Sequence, residues 1–223
     1  MISAALTTAR SIAAKEQRYA GVRFQLAYNS QGILKASQYM IFIHKESNPK
    51  YDSLSDEFHA VDGIEPLKLP ESIIVTDLRY RTKSEIYPGS EAIKGDDNID
   101  ETKELIDTTT FSIIFSPSGR MVNHDVRVRN RDGEGDYPSY DNEIRDEIFN
   151  KMAKVVAGIA MFYQDDYAGY GLGKEKSCNS FVICDRLKFQ QSYERGKAYS
   201  EYLKDLEDSK VYLNPHTGNI IKN

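Results

Sequence analysis

The chain has 223 residues, 40% hydrophobic and 28% charged, with a formal net charge of -5 and a pI near 5.5. That length can bury about 70–75% of its unfolded surface in one core, and the acidic balance excludes a protein that coats nucleic acid, which needs a concentrated basic face. No apolar run is long enough to span a bilayer, and no basic, apolar and small-residue series marks a secretory signal.

The stretch Ile2 to Phe24 reads as an amphipathic helix that runs straight into a strand. Ile2, Ala5, Leu6, Ala9, Ile12 and Ala13 recur at the spacing of one helical face, and Thr7, Thr8, Arg10, Ser11, Lys15, Glu16 and Gln17 fill the other. No residue before Ile2 supplies an N-cap, which predicts that the helix continues upstream in the gene. Residues 22–28 alternate as a strand, Asn29-Ser30-Gln31-Gly32 is a turn, and residues 38–44 form a second strand, so a hairpin follows the helix. Short strands are predicted at 58–61 and 67–69 and a stronger one at 73–77. Residues 79–108 are polar, with an acidic loop at 95–101 and a short helix near 101–106. Strands at 110–116 and 120–128 flank the turn Pro117-Ser118-Gly119.

Residues 142–163 admit two readings, and a helix to about Ala153 with a strand after it is the one adopted. The segment 177–184 reads as a strand, 194–206 as a second amphipathic helix, and 211–221 as a strand, turn and strand around Asn214-Pro215-His216-Thr217-Gly218.

Taken together, three stretches resemble one family. Ala9-Arg10-Ser11-Ile12-Ala13-Ala14-Lys15-Glu16-Gln17 followed by Val22-Arg23-Phe24-Gln25-Leu26 looks like the helix end and first strand of GspH/FimT-type pseudopilins. Phe111-Ser112-Ile113-Ile114-Phe115-Ser116-Pro117-Ser118-Gly119-Arg120 resembles that family's strand and F-x-P-x-G turn, and Leu67-Lys68-Leu69-Pro70 before Ile73-Ile74-Val75 fits its middle. The likeness runs over residues 2–128. It implies an α+β, pilin-like fold: a long N-terminal helix packed on an antiparallel two-sheet β domain over residues 1–130, with residues 131–223 as an α/β extension on the same core.

The resemblance also implies a role. The chain would be a minor, structural subunit of a type II secretion or type IV pilus-like filament. It would be anchored in the inner membrane by a preceding leader and hydrophobic helix, with its globular part in the periplasm. Its partners would be other pseudopilin subunits and secretion-system components, engaged through the helix packing face Ile2, Ala5, Leu6 and Ala9. The alternative is a filament-tip module that captures DNA or an exported protein. DNA capture needs a basic strip, and only the row Arg127, Arg129, Arg131 approaches one, so nucleic acid is not an expected partner.

No catalytic set is recognisable, and no enzymatic activity is expected. His44, His59, His124 and His216 are far apart in sequence, with no pair at metal-ligand spacing. Gly169-Tyr170-Gly171-Leu172-Gly173-Lys174 lacks the hydroxyl residue a phosphate loop places after its lysine, and reads as a turn. Cys178 and Cys184 are about 20 Å apart if extended, whereas a disulfide needs about 7 Å; they read as two small buried residues. Tyr137, Tyr140, Tyr163, Tyr167 and Tyr170 read as half-buried packing or a contact surface.

Asp132-Gly133-Glu134-Gly135-Asp136 sets three carboxylates at alternate positions of a flexible loop. The plain reading is a charged turn; the sharper one is a calcium site held by Asp132, Glu134 and Asp136, although the EF-hand pattern is not matched because its glycine slot falls on Tyr137. The weaker Asp165-Asp166 pair is a second candidate, and no other cofactor is expected. If the first site is real, calcium at a hundredfold excess over its dissociation constant stabilises the chelator-stripped chain by roughly 2.7 kcal/mol. Asp132→Asn with Asp136→Asn removes that shift, and a melting curve unmoved by calcium identifies the plain turn.

Overall fold

A computed structural model describes residues 1–27, 29, 31–45, 57–61, 63–77, 99, 105, 108–128 and 175–221. The chain is α+β: an N-terminal helix packed on two sheets, with a short helix near the C-terminus. Helix α1 (Ile2–Glu16) leads through a three-residue link into β1 (Ala20–Leu26). A single 3-10 turn at Ile33–Lys35 then connects to β2 (Gln38–Lys45). β1 and β2 pair antiparallel from Ala20↔His44 to Leu26↔Gln38, the hairpin the alternation predicts. Strands β3 (Glu57–Ala60), β4 (Leu67–Lys68) and β5 (Ile73–Thr76) follow, then β6 (Phe111–Phe115), β7 (Met121–Val122) and β8 (Asp125–Val128). Beyond them come β9 (Glu175–Lys176), β10 (Ser180–Asp185), α2 (Arg186–Glu194), β11 (Val211–Leu213) and β12 (Ile220–Ile221).

The first sheet runs β7-β6-β1-β2-β3-β8-β9, with β4 on β2, and the second runs β12-β11-β10-β5. The pairs are antiparallel except β3–β8, which is parallel. The predicted strand 120–128 is two strands on different neighbours, β7 on β6 and β8 on β3. His124 marks the break, its ring against Tyr19 at 4.4 Å and edge-on to Phe58 at 5.6 Å.

The predicted helix 194–206 is likewise revised. Gly196, at φ 69°, interrupts it; the regular helix is α2, upstream, and Tyr199–Leu203 is a π-helical turn continued by 3-10 turns over Lys204–Ser209. Asp185 starts α2, its Oδ1 accepting from the Lys188 N–H at 3.0 Å.

Parity along β1 and β2 divides the side chains between two faces. Ala20, Val22, Phe24, Met40 and Phe42 join the buried face of α1, together with Phe111, Ile113 and Phe115 of β6. Phe181, Leu213 and Val75 of the second sheet close the same core, where the Phe24 and Phe111 rings stack at 4.7 Å. A second cluster lies between the second sheet and α2, around Ile74, Val182, Cys184, Phe189 and Leu203. The third, Ile41, Ile43, Phe58, Ala60, Ile114 and Val126, lies on the opposite face of the first sheet. Gly21 shares that opposite face: a Cβ there would stand 2.1 Å from the Ile113 carbonyl oxygen, so only glycine lets β1 and β6 close.

The Gln38 side chain joins the sheets. Gln38 is fully buried; its Oε1 accepts from the Val75 N–H at 2.7 Å, and its Nε2 donates to the carbonyls of Val75 at 2.8 Å and Thr109 at 2.7 Å. Replacing it with leucine keeps the volume but leaves those groups buried without these partners. Gln38→Leu is therefore expected to lower unfolding free energy by about 2–4 kcal/mol, read by denaturant titration, whereas Lys68→Ala, which breaks the exposed Lys68–Glu71 pair, leaves the midpoint unmoved.

Candidate interaction surface

α1 is helical because alanines, a leucine and unbranched polar residues dominate it, and it ends where Gln17 turns left-handed at φ 53°. The Gln17 N–H bonds the Ala13 carbonyl, as does that of Arg18 at 3.3 Å. At its start Met1 offers no side-chain cap. The predicted packing residues Ile2, Ala5, Leu6 and Ala9 are brought together with Ala13, all buried, and the contact they make is with the chain's own first sheet. Ala9 and Ala13 are fully buried, so it is their small size that seats the helix so close to the strands.

The outward face is Ser3, Ala4, Thr7, Thr8, Ser11, Ala14 and Lys15. Thr7 Oγ1 donates to the Ser3 carbonyl and Ser11 Oγ to the Thr7 carbonyl, each at 3.0 Å. Both hydroxyls are thus spent on the helix itself, which leaves a low, weakly polar surface with one cation at its lower end.

Two polar ties fix α1 at its margins. Arg10 Nη1 donates to the Thr217 carbonyl at 2.7 Å, holding the turn between β11 and β12 under the helix. That turn is built by Asn214, whose Oδ1 accepts from the His216 and Thr217 N–H groups at 2.9 and 3.0 Å. Gly218 completes it at φ 66°, where a Cβ would lie 2.4 Å from the Phe115 ring. The Pro215 carbonyl accepts from the Met121 N–H at 2.9 Å, tying the turn to β7 as well. At the other end Glu16 Oε2 takes His44 Nδ1 at 2.8 Å and Arg18 Nε at 3.2 Å, fastening the helix terminus to β2.

Arg10, Gln38 and Asn214 are the residues that sequence reasoning did not single out. Only the turn signature around Pro215 and Gly218 hinted at one of them.

Several sequence-predicted features lie outside the described residues: Asp132, Glu134 and Asp136, the pair Asp165 and Asp166, the glycine loop 169–174, the tyrosines between 137 and 170, and Arg129 and Arg131. Arg127 belongs to β8. Among the described residues no group of three His, Cys, Asp or Glu side chains gathers to hold a metal.

Cys178 and Cys184 are buried, and no disulfide joins them. Cys178 Sγ donates to Asp77 Oδ2 at 2.9 Å, and Cys184 lies 3.6 Å from Thr76 Oγ1. Burial pushes the Cys184 thiol up to about 11, where the nucleophilic thiolate is scarce at neutral pH. The native chain is expected to withhold both thiols from a disulfide reagent at pH 8 and to release two equivalents on unfolding. Rapid native labelling would contradict the packing of both clusters.

Comparison of the chain with models of protein families, with curated proteins and with solved structures finds no match in any of the three.

Proposed function

We propose that the chain is a structural subunit of minor pseudopilin type, serving a filament of a type II secretion or type IV pilus-like system. On this reading its globular part faces the periplasm and its partners are neighbouring subunits. The observation that carries the proposal is the seating of α1. An N-terminal helix lies on an antiparallel sheet through alanines and a few larger apolar residues, runs directly into the first strand of that sheet, and turns a small Ser/Thr/Ala face outward. A low helical face of this kind suits close lateral approach of another helix, because small side chains let backbones come near and hydroxyls already bonded within the helix need no water.

The Pro117-Ser118-Gly119 turn supports the same reading. It follows β6, next to β1 in the sheet, and Gly119 packs against Arg10 of α1, so two of the three stretches that carry the family likeness, residues 9–26 and 111–120, adjoin in one unit. This reading requires no reaction and assigns the chain no catalytic residue.

The test is a photo-crosslinking amino acid at Thr8, on the outward face, in cells of the producing organism. Crosslinks to subunits encoded beside a secretion or pilus system are expected, and the same probe at Lys188, on α2, should give none. A chain that crosslinks only to unrelated proteins, or that fractionates away from the cell envelope, would overturn the proposal.

A further inference from the structure

Arg10 is tied through one arm only. Its Nη1 donates to the Thr217 carbonyl at 2.7 Å, and among the described residues no carboxylate pairs with it and its Nε and Nη2 have no partner. Gly119 lies against that side of the guanidinium. A Cβ at residue 119 would stand 3.2 Å from Nε and 3.5 Å from Cγ, so a glycine there, at φ 74°, keeps a side chain off the Nε edge. A guanidinium drawn partly out of water without a countercharge is costly to keep. The chain carries 34 acidic residues, yet neither turn that meets Arg10, Ser116-Pro117-Ser118-Gly119-Arg120 or Asn214-Pro215-His216-Thr217-Gly218, contains one. The first of them adds a further cation instead, the exposed Arg120.

The surrounding donors decide which anion fits. The Gly119 N–H bonds the Ser116 carbonyl at 2.8 Å, and the Arg120 N–H bonds the Ser116 hydroxyl at 3.3 Å, which is itself 2.9 Å from the Ser118 hydroxyl. In the other turn the His216 and Thr217 N–H groups are taken by Asn214 Oδ1 and the Gly218 N–H by the Asn214 carbonyl. Neither turn therefore offers the ring of converging N–H groups that cradles a phosphate. What remains is the flat two-donor edge of Arg10, which matches the two oxygens of a carboxylate. Along α1, Arg10 shares a row with Thr7 and Ala14, both exposed, so this edge flanks the outward face of the helix.

We propose that the Nε–Nη2 edge of Arg10 receives a carboxylate side chain from an acidic segment of a partner protein that lies along α1, with Arg120 adding to the local positive charge. The choice of a protein partner rests on the subunit reading above; the preference for a carboxylate over a phosphate does not. An aspartate or glutamate seated there supplies the countercharge that the chain's own fold withholds from Arg10, and the fork fixes the partner's position along the helix.

The experiment follows the Arg10 side-chain Nε–H resonance of the full chain by NMR while acetylated hexaglutamate amide is added at constant ionic strength. A saturable shift of that resonance is expected, and it is read on the unaltered chain. Arg10→Lys, which keeps the charge but not the fork, should weaken peptide binding at least about tenfold while circular dichroism stays native, and Arg120→Gln about threefold. Lys197→Gln, in the separate ion pair with Glu201, should leave binding intact. Inorganic phosphate and free succinate should each bind at least about tenfold more weakly than the peptide. No saturable shift, binding that survives Arg10→Lys, or phosphate or succinate binding as tightly as the peptide would overturn the proposal. Failure of the Thr8 crosslinks in cells with peptide binding intact would instead remove the subunit reading and leave the carboxylate-binding edge.

Discussion

The primary amide of Gln38 behaves like a short piece of strand. It offers one donor and one acceptor to Val75, in the way a neighbouring backbone would, and then spends its second N–H on the Thr109 carbonyl. The two sheets also meet through apolar contact, which is strong but does not set register, and through the Cys178 N–H, just before β10, on the Ser112 carbonyl of β6 at 2.7 Å. Gln38 and that bond together supply register. Leaving any of the three partners of Gln38 unmet in a dry core costs far more than the bond returns in water, so the two sheets have one low-energy relation.

The same edge of β5 is closed along its length by groups from elsewhere. Arg186 sends Nε to the Ile73 carbonyl at 3.4 Å, while its own N–H, on the Ser72 carbonyl at 3.0 Å, extends the β10–β5 ladder on the other side of the strand. Its Nη1 reaches the Ala36 carbonyl, while the Asp77 N–H bonds the Thr108 carbonyl at 2.8 Å. Burial holds the Arg186 guanidinium below its ordinary range, and Glu71 opposes that shift. An edge filled by side chains is closed to pairing with another chain. Gln190, from the next turn of α2, donates to the Leu34 carbonyl and so pins the 3-10 turn of the first hairpin under the helix.

Much of the β architecture was legible because a strand with one buried face must alternate. The hairpin of β1 and β2, β5, β6 and the β11–β12 ending all fall where the pattern puts them. α2 was not legible. Arg186-Leu187-Lys188-Phe189-Gln190-Gln191-Ser192-Tyr193-Glu194 buries only Phe189 and Ser192, and its Leu187 points to solvent, so no apolar stripe marks it. Downstream, the stripe of Tyr199, Tyr202, Leu203 and Leu206 is real, yet π-helical and 3-10 turns present it where one continuous α-helix was expected. The break between β7 and β8 has no local signal, because it is set by which neighbours the strand meets. For the same reason the packing face of α1 could be read from spacing alone, whereas the roles of Arg10 and Gln38 depend on contacts between distant parts of the chain.

The grip of Arg10 on the Thr217 carbonyl spans 207 positions, and Phe115 and Met121 also meet the turn at 214–218. A helix near one end of the chain is thus locked by a turn near the other. During synthesis α1 and the first hairpin emerge first and can collapse together, but the core that covers them stays open until Phe181, Leu213 and the turn have left the ribosome. Closing so long a loop is entropically slow. In that interval the apolar face of the sheet is uncovered, and whatever shields it then governs how much of the protein reaches its native state.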